Sequence, residues 1–381
     1  MNYNILTVST PAEKKAFLDV PARIYHNDPN WVQPIRSSIA KQLSSNSPFA
    51  QYGQLQPFIA ISEGQTVGRI VAAVNQRLIE KEGKPIGLFG YFECVEDFEI
   101  AQELLETACQ WLRDRLWRGS ADRGMTAIRG PIDLSIHNNC LFLVDGFDSP
   151  PMIMMPYNPP YYPEFMEKAG WQKAKDAYAY DFPSDKLIPQ KFEKAYNIAC
   201  KSGITFRPIH LKDPGFENDC RNIYRVFTQA FTNNWSSTPR NEEEFLEEAQ
   251  DLRHFVDPNF FPVAEDNGIM IGFGMSLPDY NIPLKQVNGK LNWLGMLKFL
   301  WYRRQINQLR GIAICAFPEY RRKMVPLGLL YLGIRGGFDK SKTYQRYEAS
   351  WVWEDNFSSR KLLEAAGGKI YKTYRIYEKS L

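Results

Sequence analysis

The sequence predicts an α/β (α+β) fold present in two copies, and three observations carry that prediction. A hairpin, a strand-helix unit and a closing Asn-to-Gly segment occur in the same order twice, about 200 residues apart, which is repetition at the scale of a domain. The first copy runs from Phe58 through Val67 and Gly68 to Asn158 and Gly170, the second from Val263 through Ile271 and Gly272 to Asn356 and Gly367. The chain has 381 residues, enough at roughly 100 to 200 per domain for two domains with cores of their own. Strands alternate with helices and hairpins, which builds a mixed sheet in each half. The division reads as residues 1–183, a linker helix over 184–203, and residues 204–381.

Taken in order, residues 17–25 form a short helix broken by prolines, and Trp31 anchors it to the first domain. Strands at 58–62 and 67–74 are joined by the turn Glu63-Gly64-Gln65. Over 99–116, Ile100, Leu104, Leu105, Ala108 and Leu112 share one stripe, the signature of a helix packed on a sheet. After the boundary at Pro183 to Pro189, a helix at 190–201 stops at Gly203 and a strand at 204 opens the second copy. Helices at 218–231 and 242–252 flank an aromatic loop carrying Trp235, and a hairpin follows at 261–275. Residues 311–316 read as a buried strand, 325–338 as a helix, 347–353 as a strand, 358–366 as a helix and 371–377 as the final strand.

Composition narrows the function. The formal net charge of +3 is too small to point to nucleic acid. The six cysteines form neither C-x-x-C nor a Cys/His cluster, so no metal site is expected and reduced thiols in a cytoplasmic protein are the simplest reading. The start lacks a basic n-region and an apolar h-region, and no stretch approaches 18 apolar residues. Aromatic residues make up 14%, suited either to two large cores or to an apolar ligand cleft.

The chemistry concentrates around Ala316. A strand ending there turns through Pro318-Glu-Tyr-Arg321-Arg322-Lys323-Met324 into a helix at Val325, leaving unpaired N–H groups at the helix start. The peptide dipoles favour an anion there by about 0.3 to 1 kcal/mol, and the three cations add charge. The same string serves equally as a solvated basic turn. About 30 residues later, Ser350-Trp-Val-Trp-Glu354-Asp-Asn356 precedes a Gly-ended helix. Together these resemble motifs A and B of the GNAT superfamily of acyl-CoA-dependent N-acyltransferases. The resemblance implies two GNAT-like domains, each a mixed, mostly antiparallel sheet flanked by helices. It implies coenzyme A, or the pantetheine of an acyl carrier protein, held along Ala316, Arg321, Arg322, Lys323, Met324, Val325 and Asn356. Met324 and Pro326 stand where the family has glycines, and Pro326 has no N–H to give. Leu363 stands where the family often has an acidic Tyr; Tyr371, Tyr374 and Tyr377 are substitutes or plain strand aromatics. The first copy has the acidic turn Glu93 to Phe98 instead of a basic one, so the acyl-donor site is expected in the second copy alone.

Outside the motifs, the strings at 20–25, 28–32, 129–133, 144–151 and 155–162 are similar to a bacterial group of tandem GNAT proteins that includes ceramide synthases, which acylate a long-chain amine. In that reading Glu354 is the general base, at the end of an apolar strand, and Asn356 its companion; a helix-capping or ion-pairing Glu354 is the plainer option. His137 and His254 read as surface residues. Residues 291–304, with Trp293, Leu297, Leu300, Trp301 and two terminal arginines, are either buried between domains or an amphipathic lid at a membrane surface. The partners expected are therefore a lipid-like or other small amine and, through 291–304, the inner membrane as a peripheral contact of a cytoplasmic protein, with no nucleic acid. Transfer from aminoacyl-tRNA and a catalytically inactive acyl-CoA-binding module are the competing readings.

Overall fold

The structure, a computed structural model, describes residues 3–117, 124–183, 190–231, 234–336 and 344–381. Its strands and helices, in chain order, are β1 (Tyr3–Thr7), α1 (Pro11–Ile24), α2 (Arg36–Gln42), β2 (Gly53–Ser62), β3 (Gln65–Asn75), α3 (Gln76–Glu82), β4 (Ile86–Cys94), α4 (Phe98–Arg113), β5 (Ala127–Gly130), β6 (Phe142–Asp145), α5 (Tyr161–Lys168) and β7 (Gln172–Pro183) in the first half. The second half has α6 (Gln190–Lys201), β8 (Ile204–Pro208), α7 (Gly215–Phe231), α8 (Glu242–Leu252), β9 (Pro262–Asp266), β10 (Ile269–Pro278), α9 (Asn281–Val287), α10 (Trp293–Tyr302), β11 (Gln308–Ala316), α11 (Val325–Arg335), β12 (Arg346–Trp353), α12 (Phe357–Ala365) and β13 (Lys369–Ser380).

Local sequence explains most boundaries. Thr10 and Glu13 close a capping box that starts α1, and α4 begins where the Asp97 side chain accepts from the N–H groups of Glu99 and Ile100. The stripe Ile100, Leu104, Leu105, Ala108 and Leu112 is buried against β3 and β4, as its spacing requires. Trp31 stacks on Tyr25 at 4.9 Å, fixing the N-terminal approach segment.

All strands join one mixed, mostly antiparallel sheet in the order β1-β2-β3-β4-β5-β13-β7-β12-β11-β10-β9-β8, with β6 on β13. Among the described residues only β4/β5 and β11/β12 are parallel. The two halves exchange their last strands. β13, from the end of the chain, lies between β5 and β7, while β7 pairs with β12 of the second half. Alternation along β7 sends Ala177 and Ala179 into the first-half core and Tyr180 and Phe182 into the second. The sheet runs across the division expected at 184–203. The first part of it, 184–189, lies outside the described residues, and α6 packs on α11.

Candidate active site

The parallel pair β11/β12 holds together only from Gln308 opposite Arg346 to Gly311 opposite Ala349. Beyond that point β11 stays with β10 as far as Ala316, whereas β12 stays with β7 through Val352 and Trp353. The strands part like a wedge, and among the described residues no segment pairs with the remaining edge of 312–316. At the apex the β10/β11 register slips: Met275 faces Ala313 and Ser276 faces Gly311, so Ile312 is the extra residue of a bulge. Gly311 is required there, because a Cβ would stand 2.0 Å from the Tyr347 hydroxyl.

A cavity of about 1550 Å³ opens from this wedge. Ile312 to Ala316 line it, as do Arg321, Pro326 and Leu327 at the start of α11 and Asn356, Ser359 and Leu363 of the α12 region. Between the sheet and α7/α8 it becomes an apolar channel walled by Phe216, Ile223, Phe227, Phe245 and Leu252. Trp351 and Trp353, with ring centroids 4.4 Å apart, and Trp235, edge-on to Trp353, line the opening between the strands.

The basic turn is partly as expected. Met324 takes a left-handed conformation (φ 63°) at the start of α11, and no side chain caps the helix. Arg321 reaches the cavity wall; Lys323 pairs instead with Asp266 at 3.3 Å, and Arg322 is exposed away from the lining. Ala316 lines the cavity and Val325 is buried behind it. The set suits a thioester with an anionic handle: a free strand edge for an amide-bearing arm, an uncapped helix start and one cation. It has fewer backbone donors than a glycine-rich turn, since Pro326 offers none.

Glu354 does not line the cavity. Its carboxylate accepts from Lys173 Nζ at 2.7 Å and from the Asp176 N–H at 3.1 Å, clamping the end of β12 to β7. Asn356 does line it, but its side chain caps α12 by accepting from the Ser359 N–H at 3.2 Å. The polar group at the apex is different. Arg310, only 3% exposed, donates from Nε to Ser350 Oγ at 2.8 Å and from its terminal nitrogens to the carbonyls of Ser350 and Ile153. The Ser350 hydroxyl donates to the fully buried Glu348, whose other oxygen accepts from Tyr371. Burial, then the Glu348 carboxylate, push the Tyr371 phenol far up, so it stays a donor. Ser350 and Arg310 line the cavity and Glu348 stands behind them. Alternation in Tyr347-Glu348-Ala349-Ser350 shows one polar face in an otherwise apolar strand, and that is the local sequence signal of these two residues. Tyr374 and Tyr377 are fully buried core residues. His137 is part of the cavity wall rather than the outer surface, its Nε2 at 3.0 Å from the Thr238 carbonyl, and burial holds it down at about 4.

The first half has the same wedge, filled. β4 and β5 pair only as far as Leu88 opposite Arg129, but Ile132 N–H then donates to the Phe89 carbonyl at 2.7 Å. The Tyr91 N–H donates to Asp133 at 2.6 Å and the Cys94 N–H to the Tyr162 hydroxyl at 2.8 Å. Asp97 occupies the start of α4. Both sets of donors that remain open in the second half are thus satisfied internally.

No family model matches the sequence. The chain is 31% identical to the bacterial ceramide synthase of Caulobacter vibrioides, over 99% of this chain and 97% of that protein. It is 29% identical to the protein YghO of Escherichia coli strain K12, over 96% and 93%. Among solved structures it resembles a tandem GNAT protein from the clavulanic acid biosynthesis pathway (TM-score 0.59, 11% identity, covering 100% and 98%). A GCN5-related N-acetyltransferase from Sphaerobacter thermophilus is similar too (TM-score 0.55, 13% identity, 99% and 95%). The shared architecture and the near full-length identity lead to one conclusion: the chain belongs to the tandem GNAT acyltransferases, in the bacterial group that includes ceramide synthase.

Proposed function

We propose that the protein transfers a long acyl group from a thioester, acyl-CoA or acyl carrier protein, to the primary amine of a long-chain lipid base. The observation that carries this reading is the juxtaposition of the open wedge on β11 with the apolar channel under α7 and α8. The free edge of 312–316 would take the amide-bearing arm of the donor by strand-like pairing. That pairing would bring the thioester to the bulge at Ile312, and a backbone N–H there is the group we assign to the oxyanion. Arg321 and the start of α11 would meet the phosphate end.

The acceptor nitrogen attacks the thioester carbonyl as the neutral amine. The C–N bond forms, the C–S bond breaks, and the proton lost by nitrogen ends on sulfur. In this reading Ser350 relays that proton and Glu348 behind it takes it up before it passes to sulfur, with Arg310 and Tyr371 keeping both groups in place. The apolar walls exclude water, which protects the thioester from hydrolysis. The coarse relationship to ceramide synthase supports a lipid acceptor. The test is incubation with a series of acyl thioesters and long- and short-chain amines, followed by mass spectrometry for N-acylated products. Long-chain amide should form, and complete absence of amide with every pairing would overturn the reading.

A further inference from the structure

Helix α10 inverts the usual arrangement of a surface helix. Its only buried residues are Gly295 and Phe299, four apart on one stripe, and Phe299 stacks on Tyr280 at 6.0 Å. The other faces carry Trp293 (72% exposed), Leu297 (58%), Leu300 (50%) and Trp301 (65%), with Leu294 and Met296 also exposed. Leu291 just before the helix is exposed too, and Phe255 stands edge-on to Phe299; the other large exposed apolar side chains are scattered over other elements, and contiguous apolar surface marks an interaction site. Lys290, Lys298, Arg303 and Arg304 are exposed around the patch, and no Asp or Glu occurs between Asp279 and Glu319. A rim of one sign around an apolar centre matches an anionic interface better than it matches a second copy of itself, since two such rims would repel. At ten residues the helix is about 15 Å long, too short to span a bilayer and suited to lying in its surface. Leu284 of α9 packs with the Tyr280–Phe299 cluster and also lines the cavity. Phe299, on the buried face of α10, therefore stands one side-chain layer from the cavity.

We propose that α10 and its basic flanks dock the protein on an anionic phospholipid surface, Trp293, Leu297, Leu300 and Trp301 entering the headgroup layer. The expectation that this segment is buried between the halves is not met by its exposure. The proposal does not depend on acyl transfer, because its test uses neither donor nor acceptor. Sedimentation with phosphatidylcholine vesicles containing phosphatidylglycerol should capture the protein, and vesicles brominated on their acyl chains should quench part of its tryptophan fluorescence. Replacing Trp293, Leu297, Leu300 and Trp301 together by Ser should leave the thermal melt in place and lower partitioning at least tenfold. Replacing Lys290, Lys298, Arg303 and Arg304 by Gln should cost roughly fivefold per cation, only on the anionic vesicles. The proposal fails if the parent protein does not bind, if neither variant changes partitioning, or if the Ser variant unfolds while the Gln variant binds normally. It also fails if light scattering shows the parent to be a dimer that the Ser variant dissociates with vesicle binding unmoved.

Discussion

Ser350→Ala separates a proton-relay role from a structural one. The change removes one oxygen at the wedge apex, the acceptor for Arg310 Nε at 2.8 Å and the donor to Glu348. Arg310 keeps the Ile153 and Ser350 carbonyls at 2.9 and 3.0 Å, and Glu348 keeps Tyr371. The stability cost is then that of one unsatisfied buried donor, about 1 to 3 kcal/mol. A lost proton path costs more: general acid–base catalysis contributes roughly 10² to 10⁴ in rate, or about 3 to 5 kcal/mol of barrier. Thiol release, followed spectrophotometrically with a long-chain amine, should show kcat falling at least 100-fold with KM for the thioester nearly unchanged. Ser350→Thr, which keeps the hydroxyl, should recover much of it. A folded Ser350→Ala protein whose kcat stays within about threefold of the parent would refute the relay, since that is far below the range for such a group. A rise in KM alone would make the residue a positioning group.

Reversing Arg321 to Glu should reduce the thermal stabilisation given by saturating acyl thioester, whereas Lys323→Glu, which disturbs the pair with Asp266 and the contact with the Tyr320 ring outside the cavity, should change it little. Glu354→Gln breaks a partly exposed pair with Lys173, so stability should fall by no more than about 1 kcal/mol and turnover should hold within about twofold, as for a group outside the proton path. A 100-fold loss would restore Glu354 as the base. Burial depresses His137 to about 4, below the ordinary His value of about 6.5; the unfolded chain takes up the proton first, so stability present above pH 6.5 is lost as pH falls towards 4. Asp133 and Asp279, each pushed up to about 7 by burial, act oppositely over that window. His137→Gln should therefore raise the melting temperature at pH 5 relative to pH 7.5, and an unchanged difference would show that His137 does not titrate in this range.

What the sequence made legible follows from the range of the interactions concerned. Helix stripes such as Ile100 to Leu112 and the hairpin at Glu63-Gly64 are local, so their periodicity and turn chemistry located them. The repeat gave the two copies, and the basic turn placed Arg321 and Ala316 at the cavity. Glu348 and Ser350 became a site only through Arg310, some 40 residues away, and Tyr371, so their buried polarity within one strand carried no visible partner. Glu354 was prominent as a charge beside apolar residues, yet Lys173, on a strand of the other half, accounts for it. The exchange of last strands left no trace at all: β7 and β13 have the alternation any strand in this sheet would have, and nothing local says which neighbours they choose.

That exchange joins the filled wedge and the open wedge in a single sheet, and it has a consequence for folding. β13 delivers Tyr374, Ile376 and Tyr377, all fully buried, to cores assembled mainly from first-half residues. Each such side chain is worth roughly 2 to 5 kcal/mol, and three together match the entire stability of a typical domain, about 5 to 15 kcal/mol. The first half closed on itself, with Asp133, Ile132 and Tyr162 occupying the edge of β4, would then be unable to stand without the end of the chain. Ending the chain before Lys369 should expose the first half, not the second alone, to limited proteolysis, with early cuts between β4 and α5, and residues 1–183 expressed alone should show no cooperative melt. A fragment 1–183 that melts cooperatively and resists protease would mean that the first half completes its sheet with β7 instead, and that the pairing of β13 with β5 contributes little to its stability.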